Sequence, residues 1–158
     1  MRAQHGIFVA LAAAITLTSA AAARPDAAKQ RMAITSQAGK TTPVSPFVLI
    51  PLENGPLERD SGTATGALPP ERVVIREGQS ASVYDGVSTL RGKRGTLVMR
   101  YHSEYVDAGN GYHVGTGSWK VVRGTGQYAG ISGGGRSGDV WLERGPWSSR
   151  NEGFLTVR

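Results

Sequence analysis

The chain of 158 residues contains no cysteine. This absence excludes a disulfide framework, thiol catalysis and thiolate metal sites, so the fold must depend on its own core or on assembly. Aromatic residues are scarce, at 7% of the sequence, and no histidine follows His113. Residues 130–134, GISGG, fit the string around a hydrolase serine, but that site needs a following helix and a later histidine. The sequence therefore argues against a serine hydrolase.

Long apolar runs are also missing, with one exception at the start of the chain. Arg2 precedes an uncharged, mostly apolar stretch over residues 7–20, and three alanines follow at 21–23. This order predicts a secretory signal peptide over residues 1–23, cleaved near Ala23. A single membrane anchor is the alternative, although a run of roughly 17 apolar residues is marginal for a span. We therefore expect a secreted protein of 158 minus 23, or 135 residues, without a stable membrane span.

Charge of one sign predominates, with 18 Lys and Arg against 12 Asp and Glu. Without Arg2 the balance is 17 minus 12, a net charge of +5. The cations are spread along the chain, and the one dense cluster, residues 91–94, is typical of a hairpin tip. This distribution favours weak contact with anionic envelope polymers over a specific nucleic-acid site, which would concentrate its charge among aromatic residues.

The rest of the chain lacks any convincing amphipathic helix. Residues 24–46 have no periodicity and few large apolar residues, which predicts a disordered N-terminal arm. Residues 47–158 alternate between extended runs and turns rich in Gly, Pro, Asn and Ser, which predicts seven or eight strands in one domain. We expect an all-β, antiparallel fold, and prefer a barrel to a sandwich because closure removes unpaired strand edges.

The centre of the chain predicts a long hairpin. A two-residue turn at Asn110 and Gly111 would place Trp119 opposite His102 and mix the apolar face with the charged one. A three-residue loop over residues 109–111 instead pairs Trp119 with Tyr101 and Val121 with Met99, so that both apolar faces coincide. We therefore predict this loop and this register. The opposite face, with Arg100, His102, Glu104 and Lys120, should then point to solvent.

Three segments of the sequence resemble one family. They are GTLVMR at 95–100, GSWKVV at 117–122 and GTGQYAGISG at 124–133. The pattern is similar to bacterial proteins of the allene oxide cyclase and dirigent-like superfamily, over about residues 72–157. The resemblance implies a small, calycin-like, eight-stranded antiparallel barrel with a cavity at one mouth. It also implies apolar substrates and, often, dimers or trimers, but no catalytic residue can be carried over.

The inner face of the hairpin supplies the candidate ligand site. We predict that a small apolar or aromatic ligand contacts six residues: Tyr84, Met99, Tyr101, Ser103, Tyr105 and Trp119. A plain core with hydroxyls reaching solvent is the alternative. A metal site drawn from His102, Glu104, Asp107 and His113 is disfavoured by the register, so we predict neither a metal nor a cofactor.

Three functions remain open. The first is a secreted barrel that binds a ligand without chemistry, favoured because no charged residue can be placed on the inner face. The second is an isomerase, cyclase or dirigent-type protein, which a buried carboxylate such as Glu77 or Asp85 would favour. The third is a basic module that attaches to an anionic envelope. A homodimer or homotrimer is also open, since Val98 and Val122 are expected to pair on the outer face.

Overall fold

The computed structural model describes residues 27–39, 44–66 and 70–157. The predicted signal peptide, residues 1–23, lies outside them. No α-helix occurs within these ranges, and the chain there forms nine strands joined by turns and one 3₁₀ turn at Gly126–Tyr128. The strands are β1 (Ala28–Ala38), β2 (Val44–Pro51), β3 (Asp60–Gly66), β4 (Arg72–Arg76), β5 (Gln79–Gly92), β6 (Thr96–Gly109), β7 (Tyr112–Gly124), β8 (Ser132–Leu142) and β9 (Trp147–Val157).

The nine strands form one antiparallel sheet in the order β3-β2-β1-β9-β8-β7-β6-β5-β4. β3 also pairs with the C-terminal part of β5, so eight strands close into a ring and β4 adds a ninth beside the N-terminal part of β5. The all-β, antiparallel prediction is confirmed. No helix in the described ranges is long and apolar enough to cross a membrane.

The expectation of a disordered arm over residues 24–46 is wrong for the part that the structure describes, residues 27–39 and 44–46. β1 runs through this segment and pairs with both β2 and β9, and Met32 and Ile34 are almost fully buried. β2 also begins at Val44, earlier than the predicted domain start at residue 47. The domain therefore includes β1, because without it β2 and β9 would both present unpaired edges.

The lower end of the ring holds the apolar core. We call lower the end where the β2–β3, β5–β6 and β7–β8 connections lie, and upper the end where the β6–β7 and β8–β9 turns lie. Residues from every strand of the ring except β8 meet in one buried cluster, which includes Met32, Phe47, Leu49, Leu97, Trp119 and Leu155. Leu57, Tyr128 and Ile131 come from the lower connections and belong to the same cluster, so these connections close the lower end.

The central hairpin has the predicted register but a different turn. Tyr101 pairs with Trp119 and Met99 with Val121, as predicted. The turn itself has two residues, Asn110 and Gly111, both with positive φ (55° and 75°). An extra residue at Ala108 shifts the register between Asp107 and Gly109, and this β-bulge restores the pairing that a two-residue turn alone would spoil.

The outer face of the upper half carries a chain of ion pairs. Arg72 contacts Asp85 at 3.2 Å, Asp85 contacts His102 Nδ1 at 2.8 Å, and Arg76 contacts Glu104 at 3.1 Å. His102 Nε2 lies 3.5 Å from the same Glu104, so His102 links the Arg72–Asp85 pair to the Arg76–Glu104 pair. Asp85 therefore points outward, so it is not the inner carboxylate that the sequence suggested.

Val98 and Val122 do not form the predicted outer pair. Val98 pairs with Arg123 and is 7% exposed, whereas Val122 is 53% exposed at a second register shift. The two valines therefore do not form the exposed apolar patch that was the basis for predicting a homodimer or homotrimer.

Candidate functional site

The six predicted ligand residues divide into two groups along the inner face. Met99 and Trp119 are each 4% exposed inside the apolar cluster, and Trp119 Nε1 donates to the Arg136 carbonyl at 3.3 Å. Tyr101 packs against the edge of that cluster. Ser103, Tyr84 and Tyr105 lie above it, toward the upper end. Met99 and Trp119 therefore form the floor, and the tyrosines and Ser103 form the walls above it.

Glycines opposite the tyrosines make room for their rings. Tyr101 pairs with Gly86 of β5, and a Cβ built on Gly86 would lie 2.4 Å from the Tyr101 hydroxyl. Tyr105 pairs with Gly115 of β7, where a Cβ would lie 2.5 Å from the ring. Both distances are too short for any side chain larger than hydrogen. The two rings thus lie across the sheet, and Tyr84 meets Tyr105 edge to face with centroids 5.7 Å apart.

A buried carboxyl lies beside these rings. Asp139 on β8 is 5% exposed and pairs with Gly115 on one side and Ser149 on the other. Its carboxyl hydrogen-bonds to the side chains of Ser149 and Tyr105, and it has no ion-pair partner within the described ranges. Burial raises the pKa of Asp139, although the two hydrogen bonds favour the ionised form and oppose the rise.

The neighbouring tyrosines remain proton donors. Burial raises the pKa of Tyr105 well above its usual range, and the negative charge of Asp139 raises it further. Burial also raises the pKa of Tyr101, with Asp139 and then Asp85 adding to the effect. Both hydroxyls thus stay protonated at neutral pH. The Tyr105 hydroxyl hydrogen-bonds to Asp139, which leaves the Tyr101 hydroxyl as the donor available to a ligand.

Two serine hydroxyls extend this polar surface. The Ser137 hydroxyl is buried and has no hydrogen-bond partner among the residues that the structure describes. A Cβ built on Gly117 would lie 2.7 Å from Ser137 Oγ and 2.8 Å from Ser103 Oγ, so both hydroxyls flank this glycine. On the next strand, Asn151 Nδ2 donates to Ser149 Oγ at 3.0 Å. An unpartnered buried hydroxyl marks a place where a ligand atom or a water is expected.

The alternative metal site is divided by the fold. His102 and Glu104 take part in the outer ion pairs, whereas Asp107 accepts from the Gly109 amide at 2.7 Å and His113 stacks on Trp141 at 4.4 Å. In the described part of the chain, no group of three or more His, Asp or Glu side chains is arranged to hold a metal ion.

Sequence reasoning missed Asp139. On β8 the apolar Val140 is 41% exposed, whereas its neighbour Asp139 is buried. Val114, opposite Val140 on β7, is likewise 41% exposed, while its neighbour Gly115 faces inward. On β7 and β8 in the upper half of the ring, valines thus face solvent while a carboxyl and a glycine face inward. The expectation of an inner face without charge is wrong.

The raised pKa of Asp139 makes stability depend on pH in a defined direction. In the unfolded chain the carboxyl ionises at about pH 4, whereas in the fold it holds its proton to higher pH. The native state therefore binds more protons in that window, and stability falls as pH rises through it. We expect Asp139→Asn to remove this fall, so that urea midpoints of the two proteins diverge above the ordinary Asp pKa in favour of the variant.

Glu104→Gln is the matched control. Arg76 lowers the pKa of Glu104, so wild-type stability from this group is lost as pH falls, which is the opposite sign. The effect should be much smaller because the group is solvent-screened. Parallel pH curves for wild type and Asp139→Asn would contradict the burial of an ionisable group at this site.

Comparisons of the chain with known protein families, with curated proteins and with solved structures found no match.

Proposed function

We propose that this is a secreted protein that binds a small ligand in the upper half of the ring. The ligand has an apolar or aromatic body and at least one hydrogen-bonding group. One observation carries the proposal: Asp139 is buried beside the unpartnered hydroxyl of Ser137, with no ion-pair partner in the described ranges. Desolvating a carboxyl and a hydroxyl without full compensation costs stability, and a ligand that completes their hydrogen bonds accounts for both.

The surrounding side chains suit such a ligand in two ways. The rings of Tyr84, Tyr101 and Tyr105 offer apolar faces above a floor of Met99 and Trp119. The hydroxyls of Tyr101, Ser103 and Ser137 offer donors that would orient an oxygen atom of the ligand, whereas those of Tyr84 and Tyr105 hydrogen-bond to Glu71 and Asp139. This combination of mostly apolar walls with a few polar groups is typical of small-molecule sites.

A cofactor-independent isomerase or cyclase is the second candidate, and the contact between Asp139 and Tyr105 favours it. The ionised Asp139 would accept a proton from a carbon next to a carbonyl group, since its raised pKa makes it a stronger base. The Tyr101 hydroxyl would donate a hydrogen bond to the carbonyl oxygen, where negative charge develops, while Tyr105 holds the Asp139 carboxyl in place. Return of the proton to another carbon completes an isomerisation without any co-reactant.

We further propose that the ring is a calycin-like barrel of the allene oxide cyclase and dirigent-like type. Two features support this. Eight antiparallel strands make up the ring, which is the number that the resemblance implied. The most specific part of the resemblance, residues 119–133, includes the connection that closes the lower end, with Tyr128 1% exposed. An apolar substrate would then enter from the upper end.

The test is native mass spectrometry of the protein purified after secretion from the cells that naturally make it. We expect a co-purifying small molecule in the wild type, and a loss of at least about tenfold in its occupancy in Asp139→Asn, because one charge-assisted hydrogen bond is removed. Ser148→Ala, at an exposed neighbouring position on β9, is the matched control and should retain the molecule.

The outcomes separate the candidates. A ligand lost from Asp139→Asn and kept by Ser148→Ala supports binding in the ring, and its conversion on incubation with wild type supports the isomerase. A wild-type protein without any ligand, or equal occupancy in both variants, would overturn the proposed site.

A further inference from the structure

Four unpaired cations lie together on the outer face of the lower half. Arg91 of β5, Arg100 of β6, and Lys120 and Arg123 of β7 are all exposed. None of the four takes part in an ion pair within residues 27–39, 44–66 and 70–157, unlike Arg72 and Arg76 further up the same face. We call these four residues, with Val87 and Val122, the basic face.

The strand register brings these side chains into adjacent rows. Arg100 lies directly opposite Lys120, and on its other side it lies opposite Val87, which is 46% exposed. Arg123 lies opposite Val98 in the next row toward the lower end. Arg100 and Lys120 are thus direct cross-strand neighbours, about 5 Å apart. Arg123 lies one row lower beside Val98, and Arg91, opposite Thr96, lies one row lower again.

A β-bulge builds part of this face. The register shifts between Val98 and Met99, which leaves Val122 without a direct partner on β6. Without the shift, Arg123 would point into the ring and Gly124 outward. With it, Val122 and Arg123 are both exposed, and Gly124 faces the interior, where a Cβ would lie 2.2 Å from the Tyr128 carbonyl oxygen. The bulge therefore adds one cation and one apolar side chain to the outer surface.

The nearest acidic side chains on this face do not neutralise it. Asp85 is engaged by Arg72 and His102, and Glu104 by Arg76. Both belong to the upper half. Along the strands, the outer face therefore changes from mixed charge in the upper half to positive charge in the lower half. An anion that approaches to within a Debye length, about 8 Å, is therefore attracted by the positive charge of the basic face.

We propose that the basic face docks on a membrane surface that contains anionic phospholipids. Adjacent cations attract the headgroups, and the exposed Val87 and Val122 can enter the apolar boundary beneath them. A soluble anionic polymer would use the cations but would leave the valines in water. This interleaving of charge with apolar side chains is what favours a lipid surface as the partner. The inference does not depend on the ligand site, which lies on the other side of the sheet.

Co-sedimentation with phosphatidylcholine vesicles, with and without phosphatidylglycerol, tests the proposal. The secreted protein should bind only the vesicles that contain phosphatidylglycerol, and added salt should weaken the binding. Arg100→Gln with Lys120→Gln should lower the partition coefficient by about tenfold or more. The matched control, Lys29→Gln with Arg144→Gln, removes the same charge from exposed positions on β1 and in the β8–β9 turn, away from β5, β6 and β7, and should change it less than about twofold.

A second pair of variants tests the apolar contribution. Val122→Ser should weaken vesicle binding, whereas Val140→Ser, at a similarly exposed valine of the upper outer face, should not. Thermal melting curves check that all variants fold. Equal losses in the two charge variants would show a mere net-charge effect and overturn the proposal. So would the absence of vesicle binding, or binding to soluble polyphosphate that survives Arg100→Gln with Lys120→Gln.

Discussion

Replacing Asp60 by alanine should lower the free energy of unfolding by about 3–5 kcal/mol, because several buried donors lose their acceptor at once. Asp60 is 3% exposed at the start of β3. Its carboxylate accepts from the amides of Lys93 and Arg94 at 2.9 and 3.3 Å and from the Tyr128 hydroxyl at 2.9 Å. One side chain thus joins β3, the β5–β6 turn and the connection that closes the lower end.

Two variants separate this role from the loss of any single bond. Tyr128→Phe removes only one hydrogen bond and should cost about 1 kcal/mol. Asp107→Ala, at an exposed turn where the carboxylate accepts one amide, should cost less than about 1 kcal/mol. Urea unfolding followed by tryptophan fluorescence gives all three values. An Asp60→Ala protein as stable as Asp107→Ala would contradict the role of this carboxylate in closing the ring.

Replacing Ile34 by aspartate should prevent the chain from folding at all, with a loss of more than about 4 kcal/mol. Ile34 is 1% exposed on β1, opposite Leu49 of β2 and Asn151 of β9, and it belongs to the apolar cluster. A carboxylate there would be buried without a partner, and the strand that joins β2 to β9 would detach.

Thr35→Asp is the matched control, since the neighbouring side chain points to the opposite face of β1. It lies opposite Val48 and Arg150 and should leave the far-ultraviolet circular dichroism spectrum and the urea midpoint nearly unchanged. A folded, stable Ile34→Asp protein would contradict the role of β1 in the core and would support the disordered arm that the sequence suggested.

The sequence analysis did not predict β1, because the residues that stabilise this strand are distant from it in the chain. Its inward positions include Gln30, which is 1% exposed yet satisfied by the Leu57 amide at 2.8 Å and by the carbonyls of Glu53 and Leu57. A polar residue that is buried against a loop more than twenty residues away leaves no periodic signal. The central hairpin was predictable because both of its strands and its turn are contiguous.

The candidate site was predicted in part, for a related reason. Alternation correctly placed Tyr101, Ser103 and Tyr105 on one face of β6, and that face is the inner one. The same rule fails on β8, because it assumes that apolar side chains face inward, and here the carboxyl of Asp139 does so while Val140 is exposed. Sequence analysis identifies the inner face of a strand by its apolar residues. A polar inner face lacks that signal, so such a site is found only once the register of every strand is known.

The pairing of β1 with β9 also determines when the chain can fold. Ala28 lies opposite Val157, so the ring closes only when the last strand is present, and its closure joins segments separated by nearly the whole domain. Contacts of such long sequence separation carry a large loop-closure entropy and slow folding. During synthesis, β1 lacks its second neighbour, β9, until all the other strands have emerged. This delay suits the secretion proposed for this chain, because a translocation channel accepts a chain that has not yet closed on itself.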